Sequence, residues 1–332
     1  MSAPAILVTG TAKFSLGDSF VRQYCSHLDH LPLVTLDRRL NQGLDRYKKV
    51  NAIQINLNPF DYSEGYPSFE NELKVALHNA INRLSCNAIN TAVLSASLYN
   101  SGPFTKQTLE TRMDLLGVNI CGKYEVLHSV LSLNQKYGFD NRKGFTLVDI
   151  GSTHGLSPSG GRTLYAPSKA FGLNLCEALQ DGEEVHRCIH LAPGPIDTHM
   201  LHKNYWVIKE HGPASFLDYL FLHNEELYHK VFVECCENAL KEACAIQSVN
   251  IETIKDKFAC YKNRRQSQLL TEEGILQPKE VANLMVNIVL DNIGNPSGVY
   301  VVTAPKGKKK VVRIPFSRFR SRIWYLWPGY SK

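Results

Sequence analysis

The sequence predicts an α/β fold: a doubly wound, mostly parallel sheet of about seven strands, with helices on both faces and one helical insertion. Three observations carry that expectation. Short apolar runs alternate along the chain with stretches of helical periodicity. The first run, "AILVTG", ends in a glycine directly before a helical segment. The 332 residues are 44% hydrophobic, enough for one large core.

The elements follow in order. Residues 5–10 read as a buried parallel strand and Asp18 to Leu28 as a helix. "PLVTLD" (32–37) and "AIQINL" (52–57) are strand candidates. Phe69, Leu73, Ala76, Leu77, Ala80, Ile81 and Leu84 recur at helical spacing. "INTAVLS" (89–95) is a strand and Thr105 to Tyr137 a long helix. Then come "GFTLVDIG" (144–151), a helix from Leu164 to Leu179, and "RCIHLAPG" (187–194). "PKEVANLMVNIVLD" (278–291) is an amphipathic helix with Pro near its first turn, and "GVYVVT" (298–303) closes the series. Such alternation implies right-handed βαβ crossovers, with ligands at the carboxyl ends of the strands. Residues 199–277 break the alternation and read as a helical insertion. The expected organisation is therefore one domain over 1–303, containing that insertion, and a C-terminal tail over 304–332.

Composition bounds the function. No apolar run reaches the roughly 18 residues that span a membrane, and "MSAPAILVTG" lacks a basic n-region, so neither an anchor nor a signal peptide is expected. Nine scattered cysteines, an odd number with no CxxC pair, read as reduced thiols of a cytoplasmic protein. The histidines show no metal-binding spacing, and no metal is expected. The formal net charge of +6 is local: nine Lys and Arg fall after residue 303 with no acid among them, and without those nine, 28 basic residues face 31 acidic ones, a net of −3.

Chemistry concentrates at "GSTHG" (151–155) and "YAPSK" (165–169). Tyr165 and Lys169 are four apart, hence on one face of a helix. A phenol beside an ammonium makes an acid that also serves as a base. Upstream, "VTGTAKFSLG" places Gly10 after the first strand and Gly17 at the start of a helix, where backbone N–H groups can approach a pyrophosphate. Alone, each pattern is more often a helix face, a cap or a plain turn.

Together, in chain order, the motifs resemble the short-chain dehydrogenase/reductase family and its Rossmann-like fold. Ser152, Tyr165 and Lys169 have the family's Ser–Tyr–Lys spacing, and Asn119 in "GVNICG" matches its helix asparagine. "LAPGPIDTHM" is similar to its Pro-Gly segment with a downstream Thr198, and "VLSAS" stands where it usually has an Asn-Asn-Ala-Gly turn. The resemblance covers about 3–200 and resumes over 276–303. It implies that Tyr165 exchanges a proton with an alcohol/carbonyl pair and that Lys169⁺ lowers the phenol's pKa and holds the nicotinamide ribose. Ser152 would position the substrate oxygen, and Asn119 would anchor a water that relays protons. Cofactor contacts are implied at Gly10, Lys13, Ser15, Leu16 and Gly17; at Asp37 and Arg38; at Asn56 and Leu57; at Ser95 and Ala96; at Tyr165 and Lys169; and at Pro193, Gly194, Ile196 and Thr198. The family's middle loop glycine is absent, with Ser15 near its place.

Asp37, at the end of the second strand, favours NAD because a carboxylate repels a 2′-phosphate. Arg38, Arg39 and Lys13 would instead attract one, so NADP stands as the alternative. Tyr205, Trp206, Phe216, Tyr219 and Phe221 in the insertion suggest either an apolar lid for a hydrophobic or aromatic substrate or a small helical core of their own. The basic, aromatic tail suits packing on the protein or a homo-oligomer interface first, an anionic membrane surface second and nucleic acid last. The leading function is an NAD(P)-dependent oxidoreductase. The second is a non-catalytic nucleotide sensor or scaffold, which rests on the altered phosphate loop.

Overall fold

The computed structural model describes residues 3–13, 15–27, 30–44, 46–62, 66–158, 160–206, 214–270, 274–290 and 296–316. Eight strands form one sheet: β1 (Ala5–Thr9), β2 (Leu33–Asp37), β3 (Val50–Gln54), β4 (Ile89–Leu94), β5 (Thr146–Ile150), β6 (Arg187–Pro193), β7 (Gly298–Thr303) and β8 (Lys310–Ile314). Their order is β3-β2-β1-β4-β5-β6-β7-β8, and the paired strands from β3 to β7 are parallel. β1, β4 and β5 are buried along almost their whole length, as strands covered on both faces must be. The order reverses between β1 and β4, which places the ligand crevice at their carboxyl ends. This is the Rossmann-like fold expected, with β8 as an unforeseen eighth strand inside the basic tail.

The chain divides into two compact units: residues 1–194, 279–302 and 311–332 form the sheet unit, and 195–278 with 303–310 form the second. The sheet unit's core joins β1, β2, β4 and β5 to the helix Tyr66–Arg83, the helix Lys123–Lys136 and the helix Tyr165–Asp181, through residues such as Leu7, Phe69, Leu94, Val130 and Leu173. The second unit has a core of its own, including Phe216, Tyr228, Phe232, Leu240, Phe258 and Tyr261.

Several boundaries differ from the expected ones. The first helix starts at Leu16, because Ser15 caps it. β3 occupies 50–54, since Asp37 ends the partner strand opposite Gln54, and Asn56 and Leu57 lie just beyond it. The expected long helix 105–137 is three pieces: a helix Leu109–Leu116, a π turn Gly117–Gly122, and the helix Lys123–Lys136. Two glycines permit close packing there. A Cβ at Gly117 would lie 1.8 Å from Asn58 Oδ1, and one at Gly122 would lie 1.9 Å from Leu57 O.

Candidate active site

The loop after β1 is closed by side chains as well as by glycines. Gly10 has φ +71°, and a Cβ on it would meet Ala96 backbone at 2.6 Å. A Cβ on Gly17 would lie 2.4 Å from Gly10 O. Both positions therefore exclude other residues and leave backbone N–H groups accessible at the start of the helix Leu16–Tyr24. Ser15, where the family's middle glycine is missing, has φ −81° and needs no glycine. Its Oγ donates to Gly10 O (2.7 Å) and accepts from Asp18 N (3.0 Å). Asn41 Nδ2 adds a stitch from outside the loop, donating to Thr11 O and to Asp18 Oδ1 at 2.9 Å each. Leu16 is buried and offers only its backbone, whereas Lys13 is exposed.

Asp37 faces this loop. Its Oδ2 accepts from Ala12 N (2.8 Å) and its Oδ1 from Arg39 N (3.1 Å). Burial pushes its carboxyl up, against these backbone donors and the nearby Arg38. It is thus a structural tie of the phosphate loop as well as a candidate ribose acceptor, and sequence alone showed only the second role. Arg38 is exposed. Asn56 is turned to its own loop, donating to Asp61 Oδ2 (2.6 Å) and accepting from Asn58 N (3.1 Å), while Leu57 is buried. Ser95 and Ala96 leave β4 beside the loop, with Ala96 N donating to Thr9 Oγ1 (3.0 Å). Pro193 ends β6 and Gly194 follows it, its N donating to Val302 O.

The four chemistry-bearing residues are all in the sheet unit. Ser152 follows β5 and caps a short turn, with its Oγ accepting from His154 N (3.2 Å), and its hydroxyl stands near enough to the Tyr165 phenol to favour the phenol's charged form. Tyr165 and Lys169 share one face of the helix Tyr165–Asp181, and the Lys169 Nζ lies 5.7 Å from the Tyr165 ring centroid. The expected depression of the phenol pKa by Lys169 is not what this arrangement gives. Burial pushes the phenol up to about 12, only partly offset by the nearby Ser152 hydroxyl. Lys169 directs its ammonium instead to Ile150 O (3.0 Å). Burial, aided by the positive charge of Lys123 and opposed by Asp149, pulls the lysine down to about 7.

Asn119 sits in the π turn, fully buried. Its Oδ1 accepts from Leu98 N (2.7 Å) and Ser97 Oγ (3.1 Å), and its Nδ2 donates to Leu98 O (2.9 Å) and Ser168 Oγ (3.0 Å). That uses the whole amide, so the side chain pins the loop after β4 to the helix Tyr165–Asp181, and a relay water here would need a backbone partner. Sequence reasoning missed three neighbours of Tyr165. The Tyr99 ring meets it edge-on at 4.7 Å, the His154 ring lies 6.4 Å away, and Arg162 Nε donates to Tyr99 Oη (3.1 Å). His154 is pushed down to about 4 by burial and by Arg162. No periodicity marks these residues; only their position just beyond a strand end or just before the YxxxK helix hints at them.

Two expected cofactor contacts, Ile196 and Thr198, belong to the second unit. There Ile196 bridges to Leu276, and Thr198 Oγ1 donates to Ile196 O (3.3 Å). Asp197 between them is held by Arg265 through two bonds of 2.6 Å and by His202 Nε2 at 2.6 Å. Of the insertion's aromatics, Phe216 is buried in that unit's own core and Phe221 stacks on His199 at 3.8 Å. The side chains of Tyr205, Trp206 and Tyr219 lie outside the described residues.

The family model described as short chain dehydrogenase matches residues 4–206, more than half of the chain. The chain belongs to this family. No curated protein matches it. Among solved structures, ligand-free aldohexose dehydrogenase of Thermoplasma acidophilum is similar at TM-score 0.60 and 13% identity, over 92% of this chain and 94% of that one. A 3-ketoacyl-(acyl-carrier-protein) reductase of Brucella melitensis, complexed with NADH, is similar at TM-score 0.58 and 13% identity, over 92% and 98%. ElxO with NADP bound is similar at TM-score 0.58 and 14% identity, over 93% and 99%. At these identities the likeness speaks for the fold. No described helix is long and apolar enough to cross a membrane.

Proposed function

We propose that this short-chain dehydrogenase is an NAD(P)-dependent oxidoreductase that interconverts an alcohol and a carbonyl. The observation that carries the reading is the gathering of Ser152, Tyr165 and Lys169 at the end of β5: Tyr165 and Lys169 share one helix face, the Lys169 ammonium is fixed to Ile150 O two residues before Ser152, and Asn119 ties that helix to the β4 exit. The glycine-lined turn at Gly10 and Gly17, which a Cβ at either site would force away from Ala96 or Gly10 O, suits a pyrophosphate. The bound nicotinamide would supply or accept the hydride. Tyr165 gives its phenolic proton to the alkoxide side of the reaction, or takes one in oxidation. Ser152 hydrogen-bonds the substrate oxygen and orients it toward that phenol. Gly10, Ser15 and Gly17 would hold the phosphates, Asp37 the adenosine ribose, and Lys169 the nicotinamide ribose. Asp37 favours NAD over NADP. Tyr99 at 4.7 Å from Tyr165 favours a substrate with a hydrophobic or aromatic body.

The scaffold alternative rested on the missing loop glycine, and Ser15 closes the loop without one. Tyr165→Phe separates catalysis from binding. It should abolish turnover, by a factor of about 10² or more if the phenol is the general acid, while NAD(P)H still quenches protein fluorescence with near wild-type affinity. Near-normal kcat in that variant would refute the mechanism.

A further inference from the structure

Behind the catalytic helix lies a second polar cluster with no part in hydride transfer. Lys123, one turn after Asn119, is ion-paired with Asp149 on β5, and both side chains are almost wholly buried, at 3% and 2% exposure. Asp149 Oδ2 bonds His190 Nδ1 (2.8 Å), and the two residues are direct register partners on β5 and β6. Cys176, on the helix that carries Lys169, lies against the Asp149–His190 pair, with its Sγ, a carboxylate oxygen of Asp149 and a ring nitrogen of His190 all within 4.8 Å of one another.

Room for this cluster is built into the backbone. A Cβ at Gly172 would lie 2.1 Å from Asp149 Oδ2, and one at Gly151 would lie 2.2 Å from His190 Nε2. Charged groups in the middle of a buried parallel sheet are costly unless paired. Here the pairing joins the helix Lys123–Lys136, β5 and β6; the helix directly follows the π turn that holds Asn119, and β5 leads into Ser152. Asp149 immediately precedes Ile150, whose carbonyl receives the Lys169 ammonium.

We propose that Lys123, Asp149 and His190 are positioning residues that form a buried charge wall behind Lys169 and control whether its amine carries a proton. The catalytic role of that amine rests on the oxidoreductase reading above; the wall itself does not. The charges that act on Lys169 are Lys123 from the helix Lys123–Lys136 and Asp149 from β5, with the Tyr165 ring 5.7 Å from its Nζ; His190 from β6 and Cys176 on the Lys169 helix border Asp149. Tyr165 and the buried Cys176 thiol are both held in their neutral forms. Asp149 stays ionised: although burial opposes it, Lys123 and His190 hold its carboxyl well below the usual range. Asp149 is therefore committed to Lys123 and His190, and the ammonium of Lys123 stands as a like charge that disfavours a second cation at Lys169. Removing Lys123 has one sign: the repulsion vanishes and Asp149 is less neutralised, so Lys169 holds its proton more tightly.

The test uses the full chain labelled with 13Cε-lysine, without cofactor or substrate, titrated by NMR. Lys169 is assigned as the resonance missing in Lys169→Met. In the wild type it should titrate near pH 7. Lys123→Met should raise that midpoint by at least one pH unit, a tenfold gain in proton affinity, whereas Lys123→Arg should leave it near the wild-type value. A Lys169 resonance that remains an ammonium up to pH 9.5 in the wild type overturns the proposal, as does an unmoved midpoint in folded Lys123→Met. If Lys123→Met does not fold, the wild-type titration and Lys123→Arg decide. Failure of NAD(P)H to bind would instead sink the oxidoreductase reading and leave this titration standing.

Discussion

Asp37 ties the loop after β1, and on the proposed function it also holds the adenosine ribose. A carboxylate has about four acceptor sites, and the backbone N–H groups of Ala12 and Arg39 use only part of them. The two duties separate by substitution. Asp37→Asn keeps one oxygen that can still accept from Ala12 N, gives up the Arg39 N bond and removes the charge, so NAD should weaken and NADP gain relative to it by about tenfold, worth roughly 1.4 kcal/mol. Asp37→Ala also frees the loop N–H groups and should weaken both cofactors. Direct titration of each protein with both cofactors checks this. Tighter binding of NADP than NAD by the wild type would reverse the assignment toward Lys13, Arg38 and Arg39. At this scale the sequence was legible where roles are local: Ser152, Tyr165 and Lys169 announce themselves by spacing. It was silent where the role is a juxtaposition, as with Tyr99 and Arg162, 63 residues apart. The Lys123 cluster had a faint signal, since Asp149 and His190 interrupt otherwise apolar strands, where charge without a partner is rare.

The elements were legible from periodicity, but not their interruptions. Residues 105–137 have the composition of one helix, yet the chain inserts a π turn around Asn119. The cause is tertiary. Asn119 must reach the backbone of Leu98, and the same turn must pass over Asn58 and Leu57, which only Gly117 and Gly122 allow. Neither demand is visible in a helical wheel. Gly122→Ala tests the second. Its methyl would meet a backbone carbonyl at 1.9 Å, which cannot rotate away, so the helix must shift. Overpacking of this kind costs about 1–3 kcal/mol. At about 2–4 °C per kcal/mol for a large domain, the Tm should fall by roughly 2–12 °C. The displaced Asn119 should also weaken the tie to Ser168 and reduce turnover. A variant with unchanged Tm and unchanged kcat would show that the close approach is not required.

At the scale of the molecule, the basic tail is not one thing. Its first part closes the sheet: β8 pairs beyond β7, Arg313 donates to Ser297 O (2.8 Å), and Phe316 is buried with the main core. Lys310 and Arg313 on this exposed strand place charge on the sheet's edge, where it discourages pairing with other chains. Residues 317–332, with Trp324, Tyr325 and Trp327, lie outside the described residues. Two truncations therefore ask different questions. Ending the chain at Ala304 removes β8 and Phe316, exposes the β7 edge and uncovers apolar surface, so the Tm should drop and the protein should aggregate. Ending it at Phe316 keeps the sheet whole, so the Tm should stay within about a degree while four of the nine basic charges and the aromatic cluster are lost. If that last segment joins subunits, this shorter chain should run as smaller species by light scattering at equal stability, and its affinity for anionic vesicles should match that of the full chain. Loss of vesicle binding at unchanged size would assign the segment to a membrane surface instead, with an attraction that salt screens over about 8–10 Å. We expect the change in size, and an unchanged size would reject the subunit contact.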